Sequence, residues 1–571
     1  MIDKLKKYLN ADLPLPQSQY LWPLYGAGFE NLGKNAAPIE APIPDIGPDE
    51  LLVRHDAVGL CFSDIKVINL GQNHPRIHRK MEKDPVVLGH EVSLTVVKVG
   101  KNLFTQYQPG DRFIIQADIF VDRVGYAYGY ELQGGLSQYN RIDQRILNGD
   151  DGNYLIPVKS ATGFAESALT EPWACVTATY DLKYRSGLKA GGITWIIGTE
   201  ESVNRNYTIS AGFDEISYPS KILFSQLPTT FASWLSEVAK KLGIEVIEVI
   251  DIHHPPVEQV DDIVILGADP DLVETVCPYL ADHGILAIST ERSFSRPVNM
   301  DVGRVHYNGW VIVGGTSGDI ADLYSSVPVR SSLKPGGNAW FVGAGGPMGH
   351  MHLQHALQVA GHPGSILCTD VSDMRLNDLC NGFAGETMDK GIEWLCLNPM
   401  NQVEYMKGLE SFEDGFDDIV ILAPIPKVIA EAAHYLAKRG VLNIFAGVNR
   451  GVVAGLDLND TVLRGTRVIG HSASTIEDLR LMLHMAETGT LTPNRSVAAV
   501  GSLSAARDGL MALRDAVYPG KVVIFPQIKE FPLTSLQDLK LKLPSVWNKL
   551  KNGSEWTVEA EQEFLSLMLP D

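Results

Sequence analysis

Apolar residues follow two different rhythms along this chain. Up to about residue 186 they form short β-branched runs, LLVRHDAVGL, VSLTVVKVG and DRFIIQADIF, set apart by Gly and Pro. Runs of this kind predict the strands of an all-β domain. The lead-in as far as Pro48 is rich in proline and predicts a segment wrapped over the surface. From about 187 to 480, short apolar runs alternate with apolar residues at helical spacing, which predicts α/β units. Residues 339–342 read as a buried parallel strand, and Met351, Leu353, Ala356, Leu357 and Ala360 as one face of a helix. Beyond about 481 the helical LRLMLHMAETG and SLSAARDGLMALRDA precede the strand KVVIFP. A tail with amphipathic helical spacing starts at Leu533, with Trp547 and Trp556 as its expected anchors.

Between that strand and that helix lie Gly343, Gly345, Gly346, Pro347, Met348 and Gly349. A strand, a glycine turn and a helix in this order offer backbone N–H groups at a helix N-terminus, where a pyrophosphate can sit. A second strand, 366–368, runs into Thr369 and Asp370. An acid at that distance from the glycines is placed to accept from an adenosine ribose hydroxyl, and it favours NAD over NADP because a 2′-phosphate would face a carboxylate. Arg375 is expected at the adenosine ribose or phosphate, and Gly447 completes the candidate dinucleotide set. The spacing departs from G-x-G-x-x-G by one residue.

The same region repeats itself. DDIVIL begins at Asp261 and again at Asp417, 156 residues on, and the offset persists from Pro270 and Pro426 through Gly284 and Gly440 to Leu323 and Leu479. Upstream, at a slightly shorter offset, LKAGG from Leu188 matches LKPGG from Leu333, and Trp195 matches Trp340. Residues 187–330 and 331–480 therefore read as tandem copies of one α/β unit. Where the second has GAGGPMG, the first has GTEESVN from Gly198, and Gln226 replaces Asp370. Without the glycines the backbone cannot approach a pyrophosphate, and Glu200 and Glu201 would repel it. The first copy is expected to be a scaffold without the cofactor site, with a different ligand there as the alternative.

Composition narrows the classes. A net charge of −20 argues against non-specific binding to nucleic acid or an anionic membrane. No apolar run approaches the ~18 residues of a membrane span, and MIDKLKKYLN has no signal-peptide core. Six cysteines without a C-x-x-C pair or the density of a disulfide scaffold complete a cytoplasmic reading.

Chemistry concentrates in the β-rich part. Cys61 sits in GLCFSD, His90 and Glu91 in VLGHE, and Glu171 in LTEPWACV. Thiolate, imidazole and carboxylate are the ligands of a catalytic zinc that keeps one position open. Singly, each has a bland reading: a small buried residue, a satisfied core histidine, a helix N-terminal acid. In order, CFSD, GHE, the GDR at 110–112 and EP ahead of a glycine-loop domain resemble the zinc-dependent medium-chain dehydrogenase/reductase family. The look is that of its sorbitol dehydrogenase and L-sorbose-1-phosphate reductase branches.

The resemblance implies a GroES-like β-rich catalytic domain over 1–186, with 481–571 returning to it before a helical tail. It also implies two tandem Rossmann-type doubly wound units, of which 187–330 is degenerate and 331–480 binds NAD. It implies Cys61, His90 and Glu171 as zinc ligands, with Glu91 close by or exchanging, and leaves open which glutamate is third. Asp64 would orient His90, Ser63 would be the relay hydroxyl, and Lys66 could continue the relay. One catalytic zinc per chain is expected and no structural zinc, because 100–140 contains no cysteine.

The expected reaction is hydride transfer between NAD and a secondary alcohol, either a polyol or a sugar phosphate. A simple alcohol dehydrogenase and a non-catalytic dinucleotide sensor or scaffold are the alternatives. The loop HPRIHRKMEKDP carries Arg76, Arg79, Lys80 and Lys83, groups suited to a substrate phosphate or merely to solvent. GYAYGYELQGG offers polar and aromatic residues for a polyol pocket. The apolar strand near Trp310 (VIVGG) matches RVIGH near Val468, so the two copies are expected to pair edge to edge as an intrachain pseudo-dimer, or else to build a larger oligomer.

Overall fold

The computed structural model describes residues 2–325 and 330–570. The expected junction of the two α/β copies therefore falls partly on residues, 326–329, outside those described. The chain divides into two compact units, one made of Met1–Thr177, Gly346–Met351 and Ser474–Asp571, the other of Ala178–Gly345 and His352–Ala473. Among the described residues no helix is long and apolar enough to cross a membrane.

The first unit is built on an eight-stranded sheet. Its central strand, Leu51–Gly59, is buried along its whole length, including Arg54, His55 and Asp56. Each of these three side chains makes at least one hydrogen bond, as burial requires, although Arg54 Nη2 has no partner among the described residues. Asp56 accepts from Arg54 Nε at 2.7 Å and from the Tyr8 hydroxyl at 2.6 Å, while His55 bridges the Ser137 carbonyl and the Tyr128 hydroxyl. The lead-in thus does more than wrap the surface. It sends Tyr8 into this network and buries Trp22, whose indole N–H donates to the Leu503 carbonyl at 2.7 Å. Lys521–Phe525 returns to pair antiparallel with the central strand through Val523↔Gly59 and Ile524↔Val58. Trp556 is buried against Phe525 and Phe564, and Trp547 stacks under Lys540.

The second unit holds one twelve-stranded sheet. In chain order its strands are β1 (Ile193–Gly198), β2 (Lys221–Ser225), β3 (Glu245–Glu248), β4 (Val260–Leu266), β5 (Leu280–Ser289) and β6 (Val311–Gly315). They are followed by β7 (Asn338–Val342), β8 (Ser365–Thr369), β9 (Glu393–Leu397), β10 (Phe416–Ile421), β11 (Leu436–Ile444) and β12 (Arg467–Gly470). Across the sheet the order is β3-β2-β1-β4-β5-β6-β12-β11-β10-β7-β8-β9. Read outward from the middle, both halves follow one winding. Pairing within each half is parallel, and the halves meet antiparallel at Ile312↔Val468. Alternate residues of β1 enter different apolar clusters, Trp195 and Ile197 one and Ile196 the other, so both faces are covered. The middle seam is reinforced by Val298–Asp301 pairing with Val453–Leu456. A Cβ on Gly470 would lie 2.3 Å from the Val305 carbonyl, so β12 approaches only as glycine.

Candidate metal centre and dinucleotide loop

Cys61 is the N-cap of the helix Phe62–Leu70, and Asp64 closes a capping box by accepting from the Cys61 N–H at 3.0 Å. The other oxygen of Asp64 accepts from the Gly89 N–H at 3.3 Å and lies 3.3 Å from His90 Nδ1, without aligning into a full hydrogen bond. One fully buried carboxylate therefore ties the thiol loop to the imidazole loop. Glu91 opens the strand Glu91–Val99, directly opposite Gly59. A Cβ at Gly59 would sit 2.1 Å from Glu91 Oε2, so glycine there makes room for the carboxylate. The ligating atoms of Cys61, His90 and Glu91 all lie within 4.8 Å of one another.

Lys521 Nζ donates to Glu91 Oε1 at 2.6 Å and to the Leu60 carbonyl at 2.8 Å. Burial, the largest single influence, pulls its ammonium down, but the charge and hydrogen bond of Glu91 together with the charges of Cys61 and Glu171 outweigh it, so its pKa is raised overall. Glu91 Oε2 stays buried with no hydrogen-bond partner among the described residues. A buried carboxylate oxygen without a partner, next to a thiol and an imidazole, suits a bound cation. The donor set of sulfur, nitrogen and oxygen suits zinc. Glu171, in the first turn of Thr170–Ala178, is not part of the close trio. Burial drives its carboxyl up to about 7, with His90 lowering and Glu91 raising it.

Ser63 is half-buried with Oγ 3.5 Å from Cys61 Sγ, and Lys66 is half-buried three residues on. Tyr130 belongs to the GYAYGYELQGG stretch offered for a polyol pocket, whereas Lys521 was not singled out from sequence. The Tyr130 ring lies 5.6 Å from that of His90 and 5.2 Å from that of His74. Two of the four cations in the basic loop are engaged within the protein. Arg76 is bound to Asp118, while Arg79 pairs with Glu131 at 3.2 Å and Asp84 at 3.1 Å. Of that group only Lys80 and Lys83 are exposed.

In the second unit, β7 is followed by Gly343 at φ +83°, a conformation that glycine adopts without strain. The Gly345 N–H donates to Asp370 Oδ2 at 2.9 Å, and the Ser372 N–H donates to Oδ1 at 2.9 Å. A Cβ on Gly345 would meet the Arg375 Cβ at 2.7 Å and the Asp370 carboxylate at 2.8 Å. Loop, acid and arginine are therefore in contact. A Cβ on Gly346 would meet no described atom within 4 Å. Pro347 then opens the helix Pro347–Gln358, with Met348 and Gly349 in its first turn. Gly447 lies just beyond the end of β11. Exposed Val371 and Met374 flank Asp370.

Nothing in the cysteine spacing announced the disulfide that joins Cys380 to Cys396, 16 residues apart. It links the helix Asp373–Asp389 to β9, next to Cys368 of β8, which pairs with Cys396 in register.

An alcohol dehydrogenase GroES-like domain matches residues 47–148. The chain is 20% identical to the L-sorbose 1-phosphate reductase of Klebsiella pneumoniae over 92% of its own length and 93% of that protein's. It is 46% identical to the sorbitol dehydrogenase of Gallus gallus over 78 residues, 14% of this chain and 21% of that one. Among solved structures, 2R,3R-butanediol dehydrogenase from Bacillus subtilis shares the fold at a TM-score of 0.52 and 15% identity, covering 89% of this chain and all of that one. Residues 47–148, which contain the cysteine–histidine–glutamate trio, thus match a GroES-like alcohol dehydrogenase domain, and along 92% of its length the chain is similar to a sugar-phosphate reductase; these likenesses support a zinc-dependent dehydrogenase of alcohols or polyols.

Proposed function

We propose that this protein transfers hydride between NAD and a secondary hydroxyl of a polyol or sugar phosphate, with one zinc per chain. The observation that carries the reading is the trio Cys61, His90 and Glu91, with one buried carboxylate oxygen left without a partner. Cys61, His90 and a carboxylate from Glu91 or Glu171 would hold the metal. When bound, zinc draws electron density from the substrate oxygen and lowers its hydroxyl pKa. Asp64 fixes the imidazole, and Lys521 holds the Glu91 carboxylate in place. Ser63 is the nearest hydroxyl to the thiol and takes the departing proton, with Lys66 beyond it. Gly343, Gly345, Gly346, Pro347, Met348, Gly349 and Gly447 shape the dinucleotide site. Asp370, already oriented by two backbone N–H groups, accepts from the adenosine ribose and disfavours a 2′-phosphate.

Residues 187–330 and 331–480 are, on this reading, a duplicated Rossmann-type unit paired edge to edge within the chain, with cofactor only in the second. Repeated side-chain contacts support it. Arg185 pairs with Asp262 and Lys189 with Asp261, as Arg330 pairs with Asp418 and Lys334 with Asp417. The Trp195 N–H donates to Ser225 at 3.1 Å, and the Trp340 N–H donates to Thr369 at 3.0 Å.

The test is metal analysis together with NADH formation over polyols and sugar phosphates. Wild type should carry one zinc and turn over part of that panel. Cys61→Ser should lose both zinc and turnover while still binding NADH. A full zinc complement in Cys61→Ser sinks the ligand assignment, and a zinc-loaded wild type inert across the panel sinks the substrate class.

A further inference from the structure

The half of the sheet without glycines is closed in a specific way. Aligned from Gly198 on Gly343, Glu201 falls at the position of Gly346. In the second half that position is open, since an added Cβ meets no described atom within 4 Å. In the first half the Glu201 side chain reaches the carboxyl ends of β4 and β5. Oε2 accepts from the Ala268 N–H at 3.2 Å and Oε1 from the Glu291 N–H at 3.0 Å. The Thr290 hydroxyl, fully buried, is shared between both oxygens at 2.8 and 2.7 Å. Arg205 stands beside the group, 3.2 Å from the Glu291 carboxylate, with one buried Nη lacking a partner among the described residues. Two convergent N–H groups and a hydroxyl make an anion cradle, with the Arg205 guanidinium at its edge on the Glu291 carboxylate. It lies at the strand ends where open α/β sheets receive their ligands.

The rest of the loop is fastened the same way. The Thr199 hydroxyl, at the position of Ala344, donates to the Leu266 carbonyl at 2.8 Å. It packs so close to Gly267 that a Cβ there would lie 2.0 Å from its oxygen. Where the second half continues into the helix Pro347–Gln358, the first makes a single 3-10 turn, Glu200–Asn204, and no α-helix before β2. No helix N-terminus is offered to a phosphate, and the N–H groups that could bind an anion already hold one.

We propose that Glu201 is a built-in ligand. Its carboxylate permanently fills the anion cradle of residues 187–330, which would otherwise take inorganic phosphate or the phosphate of a nucleotide, and so limits the chain to one dinucleotide. This rests on the duplication reading above. Calorimetric titration of the full-length protein with NADH should give one site per chain. Inorganic phosphate should raise the Tm of Glu201→Ala saturably, because the cradle is vacated. It should leave wild type and Glu201→Gln unshifted, because an acceptor still occupies it. Gly346→Glu should lose NADH binding.

Two NADH sites per wild-type chain, or no phosphate response in a folded Glu201→Ala, overturn the Glu201 proposal and leave the second-half site standing. An equal phosphate response in wild type also overturns it. One site together with unimpaired NADH binding by Gly346→Glu overturns instead the placing of the cofactor at the glycine loop, and the positional equivalence with it. Should Glu201→Ala fail to fold, the wild-type stoichiometry and Gly346→Glu still decide.

Discussion

Lys521 shows how one buried side chain can anchor another. Its ammonium is 5% exposed and the Glu91 carboxylate not at all, so neither charge is stabilised by water. Removing one partner of such a pair strands the other. Lys521→Met should therefore destabilise the zinc-free protein by about 3–5 kcal/mol, measured by urea unfolding in the presence of a chelator. Adding Glu91→Gln should restore part of that loss, because the stranded charge is gone. Equal losses in the single and double variants would mean the two groups are not coupled. Cys61, His90, Glu91 and Glu171 could be nominated by residue type and local context. Lys521 could not, since 430 residues separate it from Glu91 and a lysine opening an apolar strand reads as a solvated strand end.

The helix Asp373–Asp389 and edge strand β9 have a covalent link that neither pattern implies. Two cysteines 16 residues apart reach each other only once the helix has folded back over the sheet. Closing a loop of this length stabilises by about 3 kcal/mol in the chain-entropy account. The denatured, unreduced protein should titrate with four thiols, Cys61, Cys175, Cys277 and Cys368, and with six after reduction. Six before reduction would remove the disulfide. The glycine loop makes a related point. Its residues and the spacing to Asp370 were readable, but the bond from the Gly345 N–H to that carboxylate depends on β7 and β8 lying side by side.

Both units bury imidazoles, and that sets how the molecule responds to acid. Burial lowers His55 to about 4 and His355 to about 3. The unfolded chain takes up these protons near pH 6.5, whereas the folded chain refuses them until far lower. Neither histidine costs stability above pH 6.5. As pH falls from there towards 4, each destabilises by about 1.4 kcal/mol per pH unit. Tm measured against pH should fall across this window, and His355→Phe should flatten the slope by one histidine's share. Superimposable pH profiles for wild type and variant would show that His355 is not held neutral.

The chain's own residues determined its local elements and its repetition. β-branched runs became strands such as Leu51–Gly59 and Lys521–Phe525 because their side chains pack well on a pleated surface. The recurrence of Asp-Asp ahead of an apolar strand was legible because each Asp pair caps the preceding turn, with Asp261 accepting from Ile193 N–H and Asp417 from Asn338 N–H. Pairing across long separations was decided only in three dimensions. A strand's sequence says which face is apolar but not which neighbour completes its hydrogen bonds. The meeting of β6 with β12, the return of residues 521–525 beside the metal trio and the seating of Glu201 on β4 and β5 all needed the folded sheet. Tertiary structure also gave Arg76 and Arg79 carboxylate partners distant in sequence, Asp118 and Glu131.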